Sequence, residues 1–471
     1  MTILRKAAAL GCVLLLSITS AVPVCANSAQ TRWTGTDSTG AIVIDEDCPI
    51  IVEHELLTFD IAQFPDSHYW EISDYLAYSG SVTAEYTFYN PSDYIVDATL
   101  VFPFGAIPDY GDIMHNEIGG SLGYCDTEKY DITINGVPIE KTLRHTLSFW
   151  GNQFDLDEDM AKLHDSFMDD PFYHPDMTVS EYIYLPTDVD TETYTAATAA
   201  FVLSADSSKS RVYLENQCGG KVLDSGLQME CWVEPDESFS LYVIGEPLEQ
   251  MPEWKFYENG ACEKEIEGTM ISVPVIPTAE PLTLREFLLR EYAPDSGILD
   301  YDWYNAMVTS LNHSEWAYGG ISSIDVSFNV SNNLMRWYEY EISIGPGERI
   351  VNSVSAPIYP SINGRYEPPI YEYTYLLSPA QTWSEFGKLD IVINTPYYIT
   401  ESALDGFRRS EQGYELHLDG LPDGELVFTL CAEKRPSAGI VPTGVLLVAA
   451  AIIVAAVASV VLIRAAKKKV K

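Results

Sequence analysis

Ser81-Val-Thr-Ala-Glu-Tyr-Thr-Phe-Tyr89 alternates apolar and polar side chains, and Asn90-Pro91-Ser92-Asp93 follows it. A period of two puts Val82, Ala84, Tyr86 and Phe88 on one face, the mark of a half-buried strand, and the tetrapeptide supplies turn residues. Tyr94 to Phe104 returns as a second strand. Tyr130–Ile134 and Val137–Leu143 flank Asn135-Gly136, a two-residue hairpin signal. The same reading gives strands at Tyr194–Leu203, Arg211–Glu215, Leu227–Val233, Phe239–Ile244 and Glu265–Val275. A second set follows at Ser323–Val330, Arg336–Ile344, Glu348–Ala356, Ile370–Leu377, Lys388–Asn394, Tyr414–Leu418 and Glu425–Leu430. Many short strands between turn residues predict a mainly β chain with two antiparallel β-sandwich-like domains.

Two segments break the pattern. Asp155 to Asp170 spaces Leu156, Met160, Leu163 and Phe167 along one face of a short helix, an insertion at 155–170. Thr283-Leu-Arg-Glu286 is a capping box before a helix that should end near Pro294, and Asp302–Leu311 reads as another. The expected organisation is an N-terminal segment at 27–75, a first β domain at 76–275, a helical linker at 276–320 and a second β domain at 321–435. The boundary falls in Pro274–Pro281. A slide of 242 positions sets Val82, Ala84, Tyr86 and Phe88 on Ile324, Val326, Phe328 and Val330, a faint echo of a duplicated domain.

The ends speak of location. Arg5 and Lys6, an apolar stretch from Ala7 to Ile18 and the small residues of Val24-Cys25-Ala26 make a secretory signal peptide over 1–26, with cleavage between Ala26 and Asn27. Val445 to Ile463 is apolar but for Ser459 and, at about 1.5 Å per residue, reaches roughly 28 Å, close to the hydrocarbon thickness. The basic tail at 464–471 follows, so a membrane helix at 440–463 with a cytoplasmic tail is expected.

Together with Val441-Pro442-Thr443-Gly444, this arrangement resembles surface proteins of Gram-positive bacteria. The tail is similar to a sortase sorting signal, Leu-Pro-any-Thr-Gly, but here Pro442 directly precedes Thr443, which favours a retained membrane anchor. The resemblance covers the two ends and implies no active site. Lys468-Lys469-Val470-Lys471 also fits a dilysine retrieval pattern, and Asn312-His313-Ser314 and Asn329-Val330-Ser331 fit glycosylation sequons.

All 69 acidic residues but only 20 of the 27 basic ones lie between Asn27 and Gly439, so this part carries a formal charge of -49. Such a surface repels a polyanion, which excludes nucleic acid as a partner. Gly119-Gly-Ser121-Leu-Gly123 matches a nucleophile-elbow string, but a strand and not a helix is expected next, so it reads as a glycine-rich loop. His54-Glu55 lacks the second His of a zinc protease. Asp155-x-Asp157-x-Asp159 starts like a calcium loop, though Met160 stands where such a loop needs Gly. These three carboxylates are the candidate metal ligands, with calcium as the candidate ion; no catalytic residue is singled out.

Tyr301, Trp303, Tyr304, Trp316 and Tyr318 are expected to pack the helical piece onto a sheet rather than to stack on sugars. Six cysteines follow the cleavage site, at 48, 125, 218, 231, 262 and 431, and 15 pairings are open if all of them join. The expectation for function is a membrane-anchored extracellular protein that binds a surface glycan or protein, or presents structure. The rivals are a surface glycan hydrolase using an Asp/Glu pair and an accessory or sensor subunit of a membrane complex.

Overall fold

The computed structural model describes residues 32–33, 37–44, 48–64, 80–105, 130–147, 156–187, 197–203, 206–234, 237–268, 270–271, 281–313, 315–318, 321–324, 330 and 333–438. Among these residues strand accounts for 52% and helix for 9%, so the described structure is mainly β as expected.

Five main strands come from the N-terminal part: β1 (Ile51–Asp60), β2 (Gly80–Tyr89), β3 (Val96–Gly105), β4 (Asp131–Ile134) and β5 (Thr142–Leu147). After helix α1 (Leu156–Met160) come β6 (Thr178–Tyr184), β7 (Ala197–Leu203), β8 (Ser210–Leu214), β9 (Gln217–Leu223), β10 (Gly226–Val233), β11 (Phe239–Gly245) and β12 (Lys255–Tyr257). Helices α2 (Leu284–Leu288) and α3 (Asp300–His313) lead to β13 (Leu334–Ile344), β14 (Arg349–Ile358), β15 (Ile370–Leu376), β16 (Glu385–Asn394), β17 (Tyr398–Ser402), β18 (Gly413–Leu418) and β19 (Leu426–Cys431).

The largest sheet runs β18-β16-β1-β2-β14-β4, with the short strands Arg408–Arg409 and Val137–Pro138 at its edges. The quoted stretch is its β2, and Val82, Ala84, Tyr86 and Phe88 are all buried as the alternation requires. A second sheet holds β15, β19 and β17, and the two meet through aromatic edges: the Phe59 ring centroid is 5.9 Å from Tyr375 and 5.2 Å from Phe428. Ile42–Val43, β3, β13 and β5 form a third sheet. The hairpin at Asn135-Gly136 is present, with both residues at positive φ (50° and 76°), the backbone a tight two-residue turn demands.

The expected division into β domains at 76–275 and 321–435 is corrected by the pairing. β2 pairs with β14 along its whole length, β3 with β13 and β1 with β16, so strands from both sides of 274–281 share sheets. Residues 178–271 are instead an insertion with a core of their own, built from β6, β11 and β8 facing β7, β10 and β9. Alternation identifies a strand and its buried face, but it leaves the partner open. The antiparallel expectation also needs amendment, since β1 and β16 are parallel, Leu57 opposite Ile391 and Phe59 opposite Ile393.

The helices differ in extent. α1 stops at Met160, because the following residues are held by α3: Met168 N–H donates to Asn305 Oδ1 (2.8 Å) and Asn305 Nδ2 to the Ser166 carbonyl (3.0 Å). α2 carries the expected capping box of Thr283 and Glu286, yet it ends at Leu288 rather than near Pro294, where Trp303 Nε1 donates to the Leu288 carbonyl (3.0 Å) and satisfies an end group. Within Glu265–Val275, only Met270–Ile271 is strand among the described residues.

Candidate functional site

At one end of the inserted sandwich the chain crosses between its two sheets twice, from β8 to β9 and from β10 to β11. The first crossing turns at Asn216, in the left-handed region at φ 56°, and is tied down by Glu215: its N–H donates to the Ser240 carbonyl (3.0 Å) and its Oε2 accepts from Ser240 N–H (2.7 Å). Between the crossings lies a groove of about 510 Å³ lined by Asn216, Gln217, Trp232, Glu234, Glu237 and Ser238 among others. Trp232 is there because β10 alternates. Leu227, Met229, Cys231 and Val233 fill the core, which sends Gln228, Glu230 and Trp232 outward, and the indole is left 47% exposed. A half-exposed indole flanked by carboxamides and carboxylates offers a flat apolar face with hydrogen-bonding groups at its rim.

Two other polar clusters are buried. On β5, Arg144 is 1% exposed and donates to Asp302 (Nε to Oδ2, 3.3 Å), Glu339 (2.5 Å), Asp165 (3.1 Å) and the His164 carbonyl (2.6 Å). Asp302 also accepts from His145 N–H (2.9 Å); burial pushes its carboxyl up to about 6, against the pull of Arg144. Arg144 thereby fastens α3 to the third sheet. Beside it His145 is buried with neither ring nitrogen bonded, and burial next to Arg336 and Arg144 holds it down to about 3. In the largest sheet Glu55 is 1% exposed, and burial pushes it up to about 7 while the Tyr86 hydroxyl hydrogen-bonded to it pulls the other way. None of these groups lines the Trp232 groove.

Adjacent residues of the His54-Glu55 pair face opposite sides of the sheet. Glu55 points into the core, and His54 Nε2 lies 2.9 Å from Asp390 on the outer face, where His417 Nδ1 is 2.7 Å from the other Asp390 oxygen.

Asp155 lies outside the described residues, and Asp157 falls in α1. Asp159 is 7% exposed and paired with Lys162 (2.5 Å), so its carboxylate is already engaged. The neighbouring acids are dispersed as well: Asp165 on Arg144, Asp169 on His174, and Asp170 on the N–H groups of Phe172 and Tyr173 (2.9 and 3.0 Å). Among the described residues no group of three His, Cys, Asp or Glu is placed to hold a metal ion. Ala26, Asn27, the Gly119–Gly123 string, Val445 and Ile463 lie outside the described residues, and no described helix is long and apolar enough to cross a membrane.

The aromatic reading holds where the structure describes it. Tyr304 is fully buried, with Phe167 edge-on at 5.3 Å, and Trp303 packs against the same core. Trp232 is not among the expected site residues, and the signal for it in the sequence is a Trp on the polar face of an alternating strand.

No family model matches the chain, and no curated protein matches it. Among solved structures it is similar to a "putative nutrient binding protein" from Legionella pneumophila subsp. pneumophila str. Philadelphia 1, at TM-score 0.29 and 9% identity over 85% of this chain and 72% of that one, a likeness too slight to carry an argument about fold or ligand.

Proposed function

We propose that this chain is a membrane-anchored extracellular protein that binds a surface glycan, with the Trp232 groove as its site. The observation that carries the reading is the half-exposed Trp232 ring in a groove rimmed by Asn216, Gln217, Glu234 and Glu237. Sugar rings present apolar C–H faces that lie on an indole, and their hydroxyls donate hydrogen bonds to carboxylates and exchange them with carboxamides at the edge. Hydrolysis is the weaker reading. It needs a proton-bearing carboxylic acid at the groove, yet Glu234 and Glu237 are exposed, and the buried acids with raised values, Glu55 and Asp302, are elsewhere.

The location rests on the signal peptide at 1–26 and the apolar run Val445–Ile463 before the basic tail. Protease added to intact cells should remove the ectodomain and spare a tag placed after Lys471; digestion of that tag would overturn the topology. For binding, the full-length chain in detergent is screened on an oligosaccharide array. Trp232→Ala should weaken any glycan signal at least tenfold, about 1.4 kcal/mol, without changing the far-ultraviolet circular dichroism. Glycan binding that ignores Trp232→Ala, or no binding by the native chain, would overturn the reading.

A further inference from the structure

β9 opens with a bulge. Gln217 pairs with Cys231 and Gly219 with Glu230, which leaves Cys218 as the extra residue, exposed. Three strands away across the sheet, the turn after β12 folds back over the outward face. Cys262 N–H donates to the Asn259 carbonyl (3.2 Å), Ala261 N–H to Asn259 Oδ1 (3.0 Å), and Tyr257 bridges to Glu265. Cys262 holds φ 52°, a left-handed position where Gly or Asn is the ordinary occupant. The turn leans on Trp232: a Cβ on Gly260 would stand 3.6 Å from the indole.

Glu230 joins the two segments. It points outward from β10, yet the turn leaves it only 8% exposed. Its Oε2 lies 2.7 Å from where a Gly219 Cβ would stand, next to Cys218, and its carboxylate is close enough to the Cys262 thiol to push it up. Cys218 and Cys262 therefore flank one carboxylate, although they are 44 positions apart in sequence. The third nearby thiol, Cys231, points into the core and is fully buried. All three are free thiols in the structure.

We propose that Cys218 and Cys262 are a redox pair that closes to a disulfide, locking the β9 bulge to the turn that overhangs Trp232. The oxidant is a disulfide of an oxidising compartment. The Cys218 thiolate attacks one oxidant sulfur, forming a mixed disulfide and expelling the other half as a thiolate. The Cys262 sulfur, having lost its proton, then attacks the Cys218 sulfur and expels the second half. One S–S bond forms and one breaks; the two cysteines lose two electrons and two protons, and the oxidant becomes two thiols. Partial desolvation by neighbouring side chains, reinforced by the charge of Glu230, pushes the thiols up to about 11 for Cys218 and about 12 for Cys262. Thiolate is scarce at neutral pH, so closure accelerates as pH rises, and Glu230→Gln should accelerate it further.

The test uses the full-length chain in detergent, incubated with glutathione disulfide at pH 8 and quenched with N-ethylmaleimide. Non-reduced digestion and mass spectrometry should show the Cys218 and Cys262 peptides joined, and dithiothreitol should separate them. Cys262→Ser should return Cys218 to the alkylated pool, and Glu230→Gln should raise the rate several-fold. Alkylation of both thiols after oxidation would overturn the proposal, and so would a link from Cys218 to Cys231 or Cys125. The native chain decides the outcome alone if the serine variant does not fold. The groove reading is scored separately by Trp232→Ala.

Discussion

The largest sheet and the third sheet each bury a titratable side chain, and they keep it uncharged by opposite means. Glu55 in the largest sheet has a neutral hydroxyl, Tyr86, as its neighbour and is pushed up to about 7, so below that pH it is neutral by holding a proton. His145 in the third sheet has Arg336 and Arg144 as neighbours and is held down to about 3, so it is neutral by lacking one. Arg144 cannot take either route. It stays charged at 1% exposure, and Asp302, Glu339 and Asp165 surround it. The lesson is that burial alone sets no charge state. A group with an accessible neutral form takes it, and a group without one requires countercharges.

The strongest way to break this contrast is Asp302→Ala. It leaves Arg144 with Glu339, Asp165 and the His164 carbonyl, and it removes the acceptor for His145 N–H. The expected loss is about 4 kcal/mol in urea unfolding, the usual scale for removing one partner of a buried ion pair. Replacing both partners, Arg144→Met with Asp302→Leu, should recover a large part of it. A loss below about 1 kcal/mol for the single variant would mean that the remaining carboxylates suffice.

Glu55 and His145 make opposing predictions about pH. The Glu55 value rises from 4.5 unfolded to about 7 folded, so its contribution is complete below pH 4.5 and is lost as pH climbs through 7. At about 1.4 kcal/mol per pH unit this amounts to about 3 kcal/mol. Glu55→Gln should remove that decline, so the gap between variant and native stability should tilt toward the variant across this window. A constant gap would contradict the raised value.

His145 falls from 6.5 unfolded to about 3 folded, so its contribution is complete above pH 6.5 and is lost as pH drops. Between pH 4.5 and 6.5 that is about 2.5 kcal/mol of the opposite sign. The two nearly cancel there, and the native chain should show little slope from this pair. His145→Phe should expose the Glu55 decline by itself. Matching slopes in the native chain and in this variant would show that His145 is not neutral when folded.

The same two residues show what the sequence could disclose. Alternation in Ser81–Tyr89 and in Arg336–Ile344 located β2 and β13 to within two residues and named their buried faces. It failed on β1, where Glu53-His54-Glu55 puts three polar residues in a row across a bulge between Val52 and His54. Glu55 was therefore read beside His54 as a failed zinc motif, when it is the inward residue of a central strand. Strand partners were equally hidden: the parallel pairing of β1 with β16 spans more than 300 residues, and no local rule encodes it. The groove was half legible. Leu227–Val233 was read as an alternating strand, which already puts Trp232 outward, but the two sheet crossings that enclose it depend on long-range packing.

Calcium supplies the smallest effect, and it tests the contrast on exposed acids. In the run from Asp155 to Asp170 three described carboxylates have cationic or imidazole partners: Asp159 takes Lys162, Asp165 takes Arg144 and Asp169 takes His174. Of the three expected ligands, Asp159 is thus diverted, while Asp155 and the Asp157 side chain lie outside what the structure describes, and the expectation rests on these two acids of the sequence. Two carboxylates make a weak site, in the millimolar class of extracellular calcium modules, so a few millimolar calcium should add no more than about 1 kcal/mol. A domain at -49 gains stability from any salt, so thermal unfolding must compare calcium chloride with sodium chloride of equal ionic strength. An excess shift in calcium that disappears in Asp155→Asn with Asp157→Asn would place the ion on these two acids. Equal shifts in both salts would leave screening as the whole effect, and an excess that survives the double variant would move the site elsewhere on the acidic surface.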